Sequence, residues 1–370
     1  MPAVGGTVEW IEDPERLGTL AEAWDALAER DGTPFSSHAW FDCWWNAFGN
    51  AGGLAVCVLW RGDELAAVLP LRREGGALRS LANLHTPLFC PLAADRAALE
   101  QVLAATLDTH AVEVELFGVP DGDPALAALC RASAERRRLV HREPQHVSPI
   151  VDTSGTLAAY LAERGGRFRE IVRRRRKMER EHGARFAPIG PPDDLSRELQ
   201  RGLELEARGW KGKAATAIIS DTRTEAFYRR LAERFHASGE LRFSTLELEG
   251  RLVAFDLALV HADRYWLLKT AYDESWARFG PGMALRVSVI QRCFELGLEA
   301  HEFLGDDMEH KRRFSTSERR HQGIRSYSRR PRSALGYVYR RRARPVLRRA
   351  YRRLAPTRSG RRSGRWTRVG

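Results

Sequence analysis

The sequence predicts an α+β fold in two similar halves, each a mostly antiparallel mixed sheet flanked by helices, followed by a basic C-terminal tail. Three observations predict it. A chain of 370 residues is long enough for two domains, each of about 100–200 residues. Strand-like and helix-like segments alternate along its length. Both halves also contain a turn-plus-strand unit with similar neighbours, residues 62–71 (GDELAAVLPL) and 250–259 (GRLVAFDLAL). The expected divisions are 1–145, 146–328 and a tail of 329–370.

In the first half, residues 7–11 read as a strand. Residues 14–30 place Leu17, Leu20, Trp24 and Leu27 at helical spacing. Ser36 and Ser37 supply an N-cap before a helix carrying Trp40, Phe41, Trp44 and Trp45. Residues 54–60 and 64–71 form a hairpin around Arg61-Gly62-Asp63. A helix over 95–109, a strand over 112–117 and a helix over 124–138 complete this half.

The second half starts with a strand at 148–152. A very basic helix follows over 156–182, with Gly165-Gly166 as an expected interruption. A short strand over 184–189 precedes helices from Pro191 to near Gly209 and over 224–238. Then come strands 240–248, 251–260 and 265–270, which read as an antiparallel meander. A loop with Gly280-Pro281-Gly282 leads into a helix over 282–296, and 301–304 reads as a last strand. In the tail, 333–344 and 345–354 read as short basic helices, with Pro345 in a first-turn position.

Composition excludes several classes. Hydrophobic residues make up 43% and charged residues 29% of the chain, as in globular proteins. No apolar run approaches the ~18 residues of a membrane span, and residues 1–30 lack a signal-peptide layout. Cys43, Cys57, Cys90, Cys130 and Cys293 are scattered, with no C-x-x-C. This speaks against a disulfide framework or a zinc site and for a reducing cytoplasm. From Arg319 onward there are 19 Arg and no Asp or Glu; subtracting them from the net charge of +12 leaves −7 for residues 1–318.

The stretch with the most chemical content is Tyr265 to Leu285, YWLLKTAYDESWARFGPGMAL. It runs from a strand through a glycine loop into a helix. A helix start leaves amide N–H groups unpaired at the positive end of the dipole, which suits a phosphate. The candidate anion-binding residues are Arg278, Gly280, Gly282, Met283 and Ala284. The alternative reading is an ordinary strand-to-helix turn.

Around this loop, residues 173–181 (RRRRKMERE), 203–212 (LELEARGWKG), 268–274 (LKTAYDE), Pro281-Gly282, 303–306 (FLGD) and Lys311 follow one another in a β-meander, loop, helix, strand order. Over about 145–325, and more loosely over 1–145, the chain resembles the GNAT superfamily of N-acetyltransferases. More narrowly, it resembles the CelD-like, cellulose-biosynthesis-type family, which is related to the Fem-like peptidyltransferases. The resemblance implies tandem GNAT-like domains with acetyl-CoA as acyl donor and no metal. The first half, which has no glycine loop, is expected to shape the acceptor groove. The family's loop reads Gln/Arg-x-x-Gly-x-Gly/Ala; here Gly282-Met283-Ala284 fits its end, Phe279 stands at the Gln/Arg position and Arg278 is one place off.

Acyl transfer to an amine needs a base for the ammonium proton and an acid for the leaving thiolate. Asp273 and Asp256 are the first candidates for the base, with Glu274 beside them. Tyr272 is the candidate acid. Each carboxylate also has a structural reading, Asp256 as a buried partner of backbone or Arg and the loop pair as solvated. Lys269, Asp306, Lys311, Trp210 and Lys211 are candidate substrate contacts, the indole for stacking on a sugar. No G-x-S-x-G elbow occurs.

The expected activity is acetyl transfer to an amine of a small-molecule, sugar, envelope or exopolysaccharide precursor. Two rivals are an aminoacyl-tRNA-dependent Fem-like transferase and a non-catalytic scaffold bound to membrane or polysaccharide. The basic helix at 173–177 reads as an anion rim or as a solvated face. Residues 329–354 read as a peripheral attachment to the anionic inner membrane face, ahead of nucleic acid as a partner.

Overall fold

The computed structural model describes residues 6–49, 53–209, 212 and 215–344. Trp210, Lys211 and the helix expected over 345–354 lie outside the described residues. Strands of both halves join a single 13-stranded sheet. The first half supplies β1 (Thr7–Ile11), β2 (Leu54–Arg61), β3 (Glu64–Glu74), β4 (Ala77–Ser80), β5 (Leu92–Ala93) and β6 (Glu113–Pro120). Its helices are α1 (Pro14–Thr19), α2 (Ala21–Ala28), α3 (His38–Phe48), α4 (Arg96–Asp108) and α5 (Pro124–Glu135). The long β7 (Leu139–Asp152) crosses to the second half. There follow α6 (Leu157–His182), β8 (Arg185–Gly190), α7 (Leu195–Arg208), α8 (Thr222–Ala237), β9 (Leu241–Leu248), β10 (Arg251–His261) and β11 (Arg264–Tyr272). The described chain closes with α9 (Pro281–Glu295), β12 (Ala300–Glu302), α10 (Glu309–Arg312), β13 (Ser317–Tyr327) and α11 (Pro331–Val338).

The sheet order is β1-β2-β3-β4-β6-β13-β7-β12-β11-β10-β9-β8, with β5 on β3. The two turn-plus-strand units now have equivalent places, one as the β2–β3 hairpin and the other as β9–β10. Each half also has one short parallel ladder, β4 with β6 and β11 with β12. The first paired residues, Ala77 with Glu113 and Arg264 with Ala300, lie 36 positions apart in both halves.

Three sequence expectations change. The helix at 14–30 is two helices, α1 and α2, meeting at Leu20, which ends one and begins the other. Gly165-Gly166 does not interrupt α6, which runs through 26 residues from a Thr156 cap to a left-handed Gly183. Each helical glycine costs about 1 kcal/mol, but burial of Tyr160, Phe168 and Met178 offsets that. The third change is β13, which the basic sequence SERRHQGIRSY concealed.

Strand β13 lies between β6 and β7 and ties the halves together. Arg319 and Arg325 are tolerated because each meets a buried carboxylate, while Arg320 stays exposed beside Glu318. Arg319 forks onto Glu302 of β12 at 2.8 and 2.9 Å, and Arg264 of β11 joins at 2.7 Å. In the first half Arg325 and Arg79 bind Glu115 of β6 in the same way. Glu115 and Glu302 occupy equivalent places, each at the last paired position of its parallel ladder.

A histidine stack lies on the same seam. The rings of His146 (β7) and His321 (β13) are 4.1 Å apart, and His146 Nε2 contacts the Pro87 carbonyl at 3.1 Å. Burial first, then His146 and Arg319, pushes His321 down to about 3. Burial and Lys269 push His85 to about 3; burial, Lys311 and Arg286 push His310 to about 4. All three bind protons more readily unfolded, near the ordinary 6.5. Their contribution to stability is therefore complete above that pH and is lost as pH falls toward 3–4. The melting temperature is expected to drop steeply between pH 6.5 and 4.5, less so in His321→Gln; a flat circular-dichroism profile there contradicts this.

Candidate active site

The site forms where β11 parts from β12. The two strands pair only at Arg264, Tyr265 and Trp266. Past that point a bulge interrupts the β10–β11 ladder, whose pairing jumps from Leu257–Lys269 to Ala258–Leu267. A bulge bends its strand and re-aims the following side chains. The open end of β11 then leads through a 3-10 turn (Glu274–Phe279) into α9.

The start of α9 has no side-chain cap. Its N-cap is Gly280, in the left-handed region at φ 66°, a conformation glycine adopts without a Cβ penalty. The corresponding helix of the first half, α4, closes its own N-terminus. Asp95 accepts from the Ala98 amide at 2.8 Å and is held by Arg61 at 2.5 and 3.0 Å. A carboxylate thus already sits at the anion position of α4, whereas no side chain does so at α9.

The α9 entrance is narrower than the sequence implied. Pro281 has no N–H, and the Met283 and Ala284 amides both donate to the Gly280 carbonyl, at 3.1 and 3.0 Å. The Gly282 amide remains for a ligand. The Tyr272 ring lies beside it, since a Cβ on Gly282 would come 3.4 Å from Tyr272 Cδ1. Arg278 is exposed, with its guanidinium 4.6 Å from the Phe279 ring. Phe279 itself turns to α6 and packs edge-on against His182 at 4.7 Å. The residue standing at the Gln/Arg position therefore anchors the turn to α6.

Asp256 is not placed as a base. It is 0% exposed and its Oδ2 lies 2.8 Å from Nη2 of Arg286, itself 5% exposed. Arg286 also donates from Nη1 to His301 Nε2 at 2.8 Å, and burial holds His301 well below its ordinary value. This Asp256–Arg286–His301 chain joins β10, α9 and β12 beneath the α9 entrance. The carboxylate remains in an apolar strand because it has a charged partner.

Asp273 is also engaged. Its Oδ1 accepts from the Ser275 amide at 2.9 Å and the Ser275 hydroxyl at 2.7 Å. Burial raises its pKa, but the Ser275 hydrogen bonds, with Arg208 and Arg251, leave it below the usual carboxylate value. It caps the 3-10 turn and is a weak base. Glu274, next to it, is half-buried, and Tyr272 is 37% exposed.

The expected substrate contacts separate. Lys269 lies with α7 and α8, its Nζ 4.9 Å from the Tyr228 ring in a small hollow with Glu206 and Ile218. Burial lowers its pKa while Glu206 raises it. That places Lys269 away from Asp256 and α9, so it does not neutralise a phosphate there. Lys311 donates to the Leu304 carbonyl at 2.6 Å, on the opposite arm of the strand opening. Asp306 sits on the same arm, in the loop after β12. Arg286 and His301 were missed, although an arginine within the apolar run LRVSVI was a signal for a partner such as Asp256. Among the described residues no group of three or more His, Cys, Asp or Glu is placed to hold a metal.

Comparison with known proteins agrees with this geometry. Residues 166–312 match the family model described as acetyltransferase (GNAT) domain. This segment has a GNAT-like fold. It contains the meander, the strand opening and the start of α9. The chain is similar in fold to a structure described as the C-terminal domain of a lysylphosphatidylglycerol synthetase from Agrobacterium fabrum. The TM-score is 0.56 at 12% identity, over 83% of this chain and 92% of that one. FemX gives 0.55 at 12% identity, over 85% and 96%. L-PGS from Bacillus licheniformis gives 0.52 at 15% identity, over 91% and 97%. These identities establish likeness of fold alone, and the coverage extends it to both halves. No curated protein matches the chain significantly.

Proposed function

We propose that the protein is an N-acyltransferase that moves an acetyl group from acetyl-CoA to the amine of a small-molecule, sugar or envelope-precursor acceptor. The observation that supports it is the uncapped start of α9 at the mouth of the β11–β12 opening, set against the self-capped start of α4. The residues there fit a phosphate-bearing donor. The Gly282 amide and the helix dipole face it, and the exposed Arg278 supplies a cation nearby. Acetyl-CoA supplies the activated thioester. In this reading Tyr272, beside Gly282, protonates the leaving thiolate, and Glu274 receives the ammonium proton. Asp273, between them, caps the turn that Glu274 opens. Asp256 acts through Arg286, fixing α9 against β10 and β12.

Thiol release with acetyl-CoA and a panel of amines tests the activity. Tyr272→Phe is expected to lower kcat about 100-fold, with an unchanged melting temperature because it removes one hydroxyl from a ring that is 37% exposed. An unaltered kcat removes Tyr272 from the mechanism. The CelD-like resemblance points to an acceptor from exopolysaccharide or envelope metabolism.

The narrow α9 entrance favours a second reading, aminoacyl transfer from tRNA. Pro281 withholds an amide, and Phe279 stands where the family's loop has Gln or Arg. Turnover with aminoacyl-tRNA that disappears on RNase treatment, without any response to acyl-CoA, selects this reading. Indifference to both donors selects the scaffold.

A further inference from the structure

The helix after β13 is apolar where a soluble surface is usually polar. Leu335 is 70% exposed, Val338 49% and Tyr339 52%. Their spacing of three and four residues puts them on one face of α11 and the π-turn (Tyr339–Ala343) that continues it. The opposite face pins α11 to the body. Ser333 Oγ donates to the Val112 carbonyl at 2.8 Å, the Tyr337 ring is 5.9 Å from Tyr327, and Gly336 lies against Tyr327. The orientation of the helix, and so the exposure of its apolar face, is set by these contacts.

Charge surrounds the face. Arg332 precedes it by one turn, Arg341 and Arg342 follow it, and all three are exposed. Beyond Arg344 the sequence carries nine further Arg and no Asp or Glu. Residues 1–318 are net acidic, so attraction to an anionic surface is concentrated here. Aliphatic side chains held outward among arginines suit a bilayer interface. Nucleic acid takes stacking rings and has no use for Leu335 or Val338.

We propose that α11 docks the protein on an anionic phospholipid surface. Leu335, Val338 and Tyr339 enter the boundary between headgroups and acyl chains, and Arg332, Arg341 and Arg342 meet headgroup phosphates. The docking is independent of the acyl-transfer reading. Strands β11, β12 and β13 run in the same direction, so α11 lies at the end of the sheet toward which the β11–β12 opening faces.

The test is sedimentation of the full chain with equimolar phosphatidylglycerol–phosphatidylcholine vesicles and with phosphatidylcholine vesicles. Wild type is expected to pellet with the anionic vesicles alone, and less so at high salt. The triple variant Leu335→Glu, Val338→Glu, Tyr339→Glu is expected to lose about tenfold or more in apparent affinity. Its melting temperature and its turnover of soluble substrates are expected to match wild type. As a second measurement, a polarity-sensitive dye on Leu335→Cys should shift to the blue with anionic vesicles, relative to the same dye on wild type. Equal binding by the triple variant, equal binding to neutral vesicles, an unshifted dye, or capture of single-stranded RNA in place of vesicles each overturns the proposal.

Discussion

Gly282→Glu is expected to reduce turnover by at least about 100-fold and to abolish the thermal shift produced by acetyl-, malonyl- and long-chain acyl-CoA. The substitution places a carboxylate in the first turn of α9, which reproduces at this helix what Asp95 does at α4. An anionic side chain at a helix start is itself favourable by about 0.3–1 kcal/mol, so the variant should fold at least as well. Its Cβ meets Tyr272 at 3.4 Å, a distance that small movements of a ring at the surface accommodate. The loss then reports displacement of an anionic donor and not unfolding. Calorimetry with each acyl-CoA, on wild type and variant, separates the outcomes. Retained binding in Gly282→Glu removes the α9 entrance from the site. Absence of binding in both proteins, with activity on aminoacyl-tRNA, transfers the entrance to the second donor.

Asp256→Ala is expected to destabilise the fold by about 3–5 kcal/mol, because it leaves the Arg286 charge buried without its carboxylate. The guanidinium retains His301 Nε2 and the Phe303 ring, 5.5 Å away, and neither cancels its charge. Replacing both partners, Asp256→Leu with Arg286→Met, is expected to recover most of the loss, since a buried ion pair often exchanges with apolar residues at little net cost. Urea denaturation of the two single variants and the double variant measures the coupling. The same variants test the role assigned to Asp256. A base would leave the double variant folded and inactive by several orders of magnitude, whereas a positioning group leaves kcat within about tenfold and the pH profile unchanged in shape. A stable, inactive Asp256→Ala would return this residue to the chemistry.

Much of the second half was legible because its signals are local. Glu249-Gly250 between two apolar runs sets a hairpin, and the αL glycines at 183 and 280 mark a helix end and a helix start. Serine 37 caps α3 through the Trp40 amide at 3.2 Å, as its position before an aromatic run implied. Strand β13 was not legible in this way. Three of its first four residues are charged, and the strand is stable only because Glu302 and Glu115, far away in sequence, are buried opposite its arginines. Lys269 and Asp256, both candidates for one site by sequence, lie on different faces of the sheet because Lys269 pairs with Leu257 and side chains alternate along the strand.

The sequence by itself determined the class of the fold, the repeated meander, the glycine start of α9 and the acid-free tail, since each depends on residues close together in the chain. Tertiary structure alone decided that one strand passes between the halves, that Asp256 is paired with Arg286, and that the face of α11 bearing Leu335 points outward. Those three outcomes depend on which charges and apolar surfaces meet after folding, and long-range partners of this kind leave no periodicity in a single chain.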